Sequence, residues 1–155
     1  MKFKNALLVV NDMGRTVDFY KTVLGLHVIM DFGSNITMTG GICFQTRESF
    51  AEFINAPEEE ISFGGKNAEI YFEEDNFDGF IEKLKGMEEI SYVHPVAEAP
   101  WGQRAVRFYD PDRHIVEVGE NIKAVCRRFL ESEMTVEETA KRMDVPVKFV
   151  NACKR

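Results

Sequence analysis

The sequence predicts an α+β protein made of two tandem βαβββ modules, whose curved mixed sheets form a cleft, followed by a C-terminal helical extension. Within residues 1–120 the same order of strand and helix patterns occurs twice, while residues 121–155 show only helical spacing. A chain of 155 residues is long enough for one domain or for two half-sized modules that share a core. We therefore expect modules at 1–55 and 66–120, a linker at 56–65 and a helical tail at 121–155.

The first module begins with a β-rich run at residues 4–10. Asp12 then offers an N-cap for a helix, because the apolar residues after it recur at helical spacing. Gly25 ends this helix, at the point where a left-handed residue is favoured. Three short β-type runs follow and start at Leu26, Asn35 and Gly41.

The second module repeats this order. Residues 67–73 read as a strand, and Asp75 or Asn76 can cap the helix that follows. The three later β-type runs start at Ser91, Gln103 and His114. The segment between the modules is acidic and then rich in glycine, which is typical of a linker.

The tail carries three helix signals. Residues 121–132 form one helical stretch, and Thr135 with Glu138 matches a capping box that opens a second helix. Pro146 suits the first turn of a third helix. We expect this tail to pack on the sheet domain or on a partner subunit. The alternative is a small helix-turn-helix, whose recognition helix would carry Lys148, Lys154 and Arg155.

The composition narrows the class of protein. The net charge of −7 and the pI near 5.1 disfavour a nucleic-acid protein that depends on a basic surface. No apolar run approaches the roughly 20 residues of a membrane helix, and the first residues do not match a signal peptide. The three cysteines show no CxxC spacing. We therefore expect a cytoplasmic protein that makes no membrane contact.

Strand alternation separates a core face from a second face of mixed character. If Ile70, Phe72, Val106, Phe108, Val116 and Val118 face the helices, the residues between them face the other way. That second face combines apolar side chains with amides, carboxylates and one arginine. Such a lining suits a small-molecule pocket, and the alternative is an ordinary solvent-facing antiparallel sheet.

Three segments resemble one known family. VVNDMGRTVDFYKTVLGL (9–26) is similar to the opening of the glyoxalase/bleomycin-resistance/dioxygenase superfamily, also called the vicinal-oxygen-chelate superfamily. EIYFEEDNFDGF (69–80) resembles the start of its second module, and WGQRAVRFYDPDRHIVEVGE (101–120) resembles its closing motif. Arg113 stands where that motif has glycine, so we expect mild backbone strain or a different turn type there. The resemblance implies a sheet-lined cleft, a small organic ligand and a homodimer.

The resemblance also implies four candidate metal positions, which in metal-dependent members carry His and Glu. They fall on Asn5, Gln45, Glu69 and Glu117 in this sequence. Two carboxylates and two amides without imidazole make a poor nickel or zinc site, although such a set could hold Mg²⁺, Mn²⁺ or Ca²⁺ weakly. A divalent metal is therefore the less favoured cofactor. His27, His94 and His114 read as surface or hydrogen-bonded residues rather than ligands.

A cation from the protein can neutralise the two carboxylates instead. Arg107 is expected on the same face as Glu69 and Glu117, and a guanidinium can serve two carboxylates at once. In that network Glu69 or Glu117 could act as a general base beside a carbonyl. Tyr71 and Trp101 are the aromatic candidates for ligand contact, with a packing role as the alternative for Trp101.

Three classes of function follow. The first is an enzyme, a lyase, isomerase or dioxygenase similar to lactoylglutathione lyase, with Glu117 and Glu69 as catalytic residues and Arg107, Tyr71, Trp101, Asn5 and Gln45 as ligand-binding residues. The second is a non-catalytic protein that sequesters a ligand or an antibiotic. The third is a ligand-responsive regulator that uses the tail. We expect the partner to be a small organic molecule and not a nucleic acid.

Overall fold

The computed structural model describes residues 1–154. Its strands are β1 (Ala6–Val10), β2 (Val28–Asp31), β3 (Asn35–Met38), β4 (Ile42–Thr46), β5 (Glu69–Glu74), β6 (Ser91–Glu98), β7 (Arg104–Tyr109) and β8 (Ile115–Glu120). Its α-helices are α1 (Met13–Leu24), α2 (Arg47–Ile54), α3 (Phe77–Lys85), α4 (Ile122–Glu131), α5 (Val136–Met143) and α6 (Val147–Cys153). The tandem βαβββ order and the α+β class are confirmed.

The chain divides into two compact units. The first comprises Met1–Ala68 with the short segment Asp110–His114, and the second comprises Glu69–Tyr109 with the chain from Ile115 onward. Each unit contains one four-stranded mixed sheet, with orders β1-β4-β3-β2 and β5-β8-β7-β6. In each sheet the first and last strands of the module pair in parallel, and the other neighbours pair antiparallel.

The helix-end signals in the sequence mark real helix ends. The Asp12 side chain accepts a hydrogen bond from the Arg15 N–H, and Gly25 takes the left-handed conformation. Asn76 caps α3 through the Gly79 N–H, and the capping box opens α5. These motifs can be recognised in the sequence because the capping side chain pairs with free backbone hydrogen-bonding groups within one helical turn.

Two expectations need correction, and a third is confirmed. Pro146 is the N-cap of α6 and not a residue of its first turn. The segment 47–54, for which no element was predicted, forms α2, which ends at a left-handed Asn55. Arg113 does have a positive φ of 70°, so the expected strain at this position is present.

The first unit holds the segment 110–114 by buried polar contacts. The Tyr20 hydroxyl donates a hydrogen bond to the Asp110 carboxylate. The two oxygens of this carboxylate also contact the backbone N–H and the ring Nδ1 of His114. Burial and the neighbouring Asp110 carboxylate raise the pKa of Tyr20 well above its usual value. His114 is therefore a hydrogen-bonded residue, as the sequence suggested.

The tail forms a small core of its own in the second unit. Its buried side chains are Val125, Cys126, Ala140, Met143, Val150 and Cys153. The candidate DNA-contacting residue Arg155 lies outside the described residues. Among residues 1–154, no helix has the length and apolar character that a membrane crossing requires.

Candidate functional site: a cleft on the second sheet

Strand register places a row of functional side chains across the second sheet. Tyr71 on β5 pairs with Glu117 on β8, Glu117 pairs with Arg107 on β7, and Arg107 pairs with His94 on β6. Directly paired residues point to the same face of a sheet, so these four side chains share one face. The sheet thus gathers residues that lie up to 46 positions apart in the sequence.

The next row on this face consists mostly of small residues. Gly119 pairs with Glu73 and with Ala105, and Ala105 pairs with Ala97. Small side chains in the middle of a sheet leave a hollow, because they do not fill the space that their neighbours enclose. A cleft of about 280 Å³ lies here. Its lining includes residues of β6, β7, β8 and the β6–β7 turn: His94, Pro95, Val96, Ala97, Glu98, Ala99, Trp101, Gln103, Ala105, Arg107 and Glu117.

Arg107 joins two carboxylates in this cleft. Its Nε donates to Glu69 Oε2 at 2.8 Å, and its Nη2 lies 3.5 Å from Glu69 Oε1. The same Nη2 contacts Glu117 Oε2. The ion pairs expected from the sequence are therefore present, and with both carboxylates ionised the three groups carry a net charge of −1.

The pKa values of the two carboxylates are shifted in opposite directions. Burial raises the pKa of Glu117 above its usual value, and the Glu69 charge adds to this rise although Arg107 opposes it. Hydrogen bonding to Arg107 lowers the pKa of the more exposed Glu69. Glu117 is only 7% exposed. The pair therefore contains one carboxylate that stays ionised and one that accepts a proton more readily.

His94 is oriented by two contacts. Its Nε2 lies 3.2 Å from Arg107 Nη1, and its Nδ1 lies 2.7 Å from the carbonyl oxygen of Pro95. Because a guanidinium only donates, these two contacts are both hydrogen bonds in the tautomer whose Nε2 accepts and whose Nδ1 donates. The sequence suggested a hydrogen-bonded His94 but not its place beside Arg107.

Gln103 holds both aromatic side chains of the site. Its Oε1 accepts from the Trp101 indole N–H at 3.0 Å, and its Nε2 donates to the Tyr71 hydroxyl at 2.8 Å. The Gln103 Nε2 also donates to the Glu120 carbonyl oxygen at 2.7 Å. Every polar atom of this buried amide is thus paired, which fixes Trp101 and Tyr71 relative to each other.

Gly119 makes this arrangement sterically possible. A Cβ at this position would lie 3.0 Å from Gln103 Nε2 and 3.2 Å from the Tyr71 ring. No site role was predicted from the sequence for Gln103 or Gly119. The available signal for Gly119 was that a glycine falls on the polar face of an alternating strand.

Asn5 and Gln45 belong to the first unit, whereas Glu69, Tyr71, Trp101, Arg107 and Glu117 belong to the second. Asn5 Nδ2 donates to the Cys43 sulfur at 2.7 Å, and Gln45 Nε2 donates to Ser49 Oγ at 3.0 Å. The metal-binding and ligand-binding roles of Asn5 and Gln45 remain predictions.

The donors in the second unit do not fit a divalent metal. A cation bound to Glu69 and Glu117 would compete with the Arg107 guanidinium for the same oxygens and would be repelled by its charge. Within residues 1–154, no group of three or more His, Cys, Asp or Glu side chains is placed to hold a metal ion.

Two polar residues on this face are buried, which a plain solvent-facing sheet does not explain. Gln103 and Glu117 are each 7% exposed, although both lie on the polar side of their strands. Buried polar side chains that converge on a hollow are typical of a ligand site in an α+β fold. The second sheet therefore presents a cleft with the character of a small-molecule site.

The family is the one that the sequence motifs indicated. Residues 3–123 match the glyoxalase-like domain family, so the chain belongs to it and to the glyoxalase/bleomycin-resistance/dioxygenase superfamily. An uncharacterised protein of Bacillus subtilis (strain 168), YraH, is 29% identical over 128 residues, which cover 76% of this chain and 97% of YraH.

Solved structures show the same fold. A protein of unknown function from Agrobacterium tumefaciens str. C58 is 32% identical with a TM-score of 0.70, and the match covers 78% of this chain and 94% of that one. A lactoylglutathione lyase from Agrobacterium tumefaciens is 21% identical with a TM-score of 0.61, over 78% of this chain and 94% of its own. At that identity the lyase shows a shared fold only.

Proposed function

We propose that the protein binds a small organic molecule in the cleft of its second sheet, with Arg107 and Glu117 at one end and Trp101 at the other. The observation that carries this proposal is the hollow over Ala97, Ala105 and Gly119, which ends on the ion pair of Arg107 with the buried Glu117. Its volume of about 280 Å³ lies near the small end of the usual range for ligand sites. An apolar wall with a few fixed polar groups favours a compact, mostly apolar ligand.

The net charge of the site indicates which charge its ligand should carry. Arg107 is already neutralised by two carboxylates, which leaves these three groups with a net charge of −1, while Glu98 in the lining is paired with Arg142. An anionic ligand would meet excess negative charge, so we expect a neutral or cationic molecule with a hydrogen-bond donor.

A second candidate function is proton transfer in a lyase or isomerase, with Glu117 as general base. It is favoured by the opposite pKa directions of Glu69 and Glu117, because a split pair of carboxylates is a recurrent basis of acid–base catalysis. Glu117 would remove a proton next to a carbonyl, and Arg107 would hold the carboxylate in place. Non-catalytic sequestration of a ligand or antibiotic is the alternative.

We further propose a homodimer in the cytoplasm. The edge strand β2 is exposed along its length, and its region presents Ile29, Met30 and Phe32 at 57%, 49% and 71% exposure. Exposed apolar edges of this kind are usually covered in proteins. The three buried, unpaired cysteines (Cys43, Cys126 and Cys153) suit a reducing compartment. Sedimentation velocity would test the dimer.

Ligand binding can be tested with N-phenylnaphthylamine, a neutral aromatic amine that fluoresces in apolar surroundings. Ala97→Phe fills the hollow from the exposed edge strand, and Val93→Phe makes a comparable addition on the same strand outside the cleft lining. We expect the dye to bind wild type and Val93→Phe and to lose most of its binding to Ala97→Phe. Equal binding by the two variants would contradict the proposal.

The choice between enzyme and binder needs a chemical readout. The adduct of methylglyoxal with a thiol has a proton next to a carbonyl, and its exchange with deuterated solvent can be followed by NMR. If Glu117 is a general base, exchange requires wild type and fails with Glu117→Gln, whereas the exposed-site control Glu89→Gln behaves as wild type. Tight binding without exchange would favour sequestration.

A further inference from the structure

We propose that the C-terminal tail is a positioning element for the cleft: α4 and α5 hold the β6–β7 turn (residues 99–103) that carries Trp101, and so set the affinity of the site. This inference rests on the proposed ligand-binding function. The family match ends at residue 123, so the side chains that would perform this role lie beyond the glyoxalase-like domain.

Helix α5 contacts the turn through Arg142. Its Nη2 donates to Glu98 Oε1 at 3.1 Å, and its Nη1 donates to the carbonyl oxygen of Pro100. One guanidinium therefore bridges the end of β6 and the residue that precedes Trp101. A planar fork of donors restricts both partners more than a single hydrogen bond would.

Helix α4 contacts the other side of the turn through Arg128. Its Nη2 donates to the Gly102 carbonyl oxygen at 2.7 Å and to Glu120 Oε2 at 3.0 Å. Glu120 is 6% exposed and its other carboxylate oxygen accepts from Arg104 at 2.6 Å. The turn is thereby tied to β8, which also carries Glu117.

Phe129 supplies an apolar contact between these two arginines. Arg128 and Arg142 lie over its ring at 5.2 and 5.5 Å from the centroid. The same ring fills the space beside Gly102, where an added Cβ would come within 2.2 Å of Phe129 Cζ. The tail thus touches the end of β6 at Glu98 and the turn at Pro100 and Gly102.

The turn has little support of its own. Its internal backbone hydrogen bonds run from Ala99 N–H to the Gln103 carbonyl and from Gly102 N–H to the Ala99 carbonyl, each at 2.8 Å. It follows an edge strand whose pairing with β7 shifts register twice. Gln103 fixes Trp101 from within the turn. Short turns on irregular edges open at low free-energy cost, so the contacts from the tail limit how far the turn moves as a whole and carries Trp101 with it.

The tail has a packed core of its own directly behind these contacts. Its three helices enclose a core of six buried side chains, including Val125, Met143 and Val150. Arg142 lies on α5 next to Met143, and Arg128 and Phe129 lie on α4 two and three residues after the buried Cys126. The residues that contact the turn are therefore anchored one to three positions away from core residues.

Amide hydrogen exchange tests the contact directly in the full chain. Arg142→Met and Arg128→Met keep the aliphatic stem and remove the donors, and Lys141→Met makes the same kind of change on α5 at an exposed side chain. We expect the Ala99 and Gly102 amides to exchange about tenfold faster in the two arginine variants, and at the wild-type rate in Lys141→Met. Circular dichroism and thermal unfolding establish that each variant folds.

The binding of N-phenylnaphthylamine provides the second readout. We expect its dissociation constant to rise severalfold in Arg142→Met and to stay at the wild-type value in Lys141→Met. Unchanged amide exchange in both arginine variants would overturn the positioning role, whether or not the dye binds. Faster exchange with an unchanged dissociation constant would overturn the link to affinity. Failure of the dye to bind wild type would instead count against the proposed function, and the exchange data would still test the contact.

Discussion

Replacing Gly102 by alanine should destabilise the second unit more than a matched glycine replacement elsewhere. Gly102 has a φ of +86°, where an L-residue costs about 1–2 kcal/mol. The new Cβ would also lie 2.2 Å from Phe129 Cζ, and overpacking of this kind costs about a further 1–3 kcal/mol. We therefore expect Gly102→Ala to lower the free energy of unfolding by about 2–5 kcal/mol.

Gly41 is the matched control. Its φ is +82° and an added Cβ would meet no atom within 4 Å, so Gly41→Ala carries the backbone cost alone, about 1–2 kcal/mol. Urea unfolding followed by circular dichroism measures both variants, and Trp101 fluorescence reports on the second unit alone. Equal losses in the two variants would refute the contact between Phe129 and the turn.

Phe129→Leu extends the test to a double-mutant cycle. A smaller side chain relieves the overlap, so Gly102→Ala combined with Phe129→Leu should lose at least about 1 kcal/mol less than the sum of the single losses. Strict additivity would mean that the two positions do not interact. The sign of the coupling is therefore as informative as its size.

Three further predictions concern the charged groups. Arg107→Met leaves Glu69 and Glu117 without their shared cation, so we expect the affinity for Mn²⁺ to rise about tenfold. Calorimetry measures this affinity, and an unchanged value would show that Arg107 does not exclude the metal. Folding raises the pKa of Glu117, so its contribution to the free energy of unfolding is most favourable at low pH. Wild type should therefore lose stability relative to Glu117→Gln as pH rises from about 4 to 7. Urea unfolding across this range measures the difference, and the opposite slope would contradict the prediction. Burial alone would raise the pKa of Glu120, but hydrogen bonds from Arg104 and the charge of a second arginine lower it, so its stabilisation is present above pH 4.5 and is lost as pH falls below that value. The advantage of wild type over Glu120→Gln should therefore shrink in acid unfolding curves, and a constant advantage would argue against this ion pair.

Local motifs made the elements predictable from the sequence. The Asp12 cap, the left-handed Gly25 and the capping box at Thr135 each depend on contacts within a few residues. Helix α2 was not predicted, because it follows β4 directly. Its N-cap, Thr46, is the last residue of β4, and the Thr46 side chain makes no capping hydrogen bond. Short helices without such a signal depend on packing that the local sequence does not specify.

Strand alternation also predicted part of the site. It placed Arg107, Glu69 and Glu117 on one face, and opposite charges on one face of a sheet favour an ion pair. Alternation gives the face but not the register. Only the paired strands show that Gly119, Ala105 and Ala97 form one row, which leaves the hollow beside the charged cluster.

The sequence by itself determined the family, the tandem βαβββ order, the helix ends and the face on which the charged residues lie, because these follow from local periodicity and short motifs. The tertiary structure alone decided that Gln103 joins Trp101 to Tyr71, that His94 reaches Arg107, and that Arg128 and Arg142 of the tail hold the Trp101 turn. The physical reason is that these contacts join side chains 2 to 44 residues apart, and their geometry depends on strand register and helix packing rather than on any nearby residue pattern.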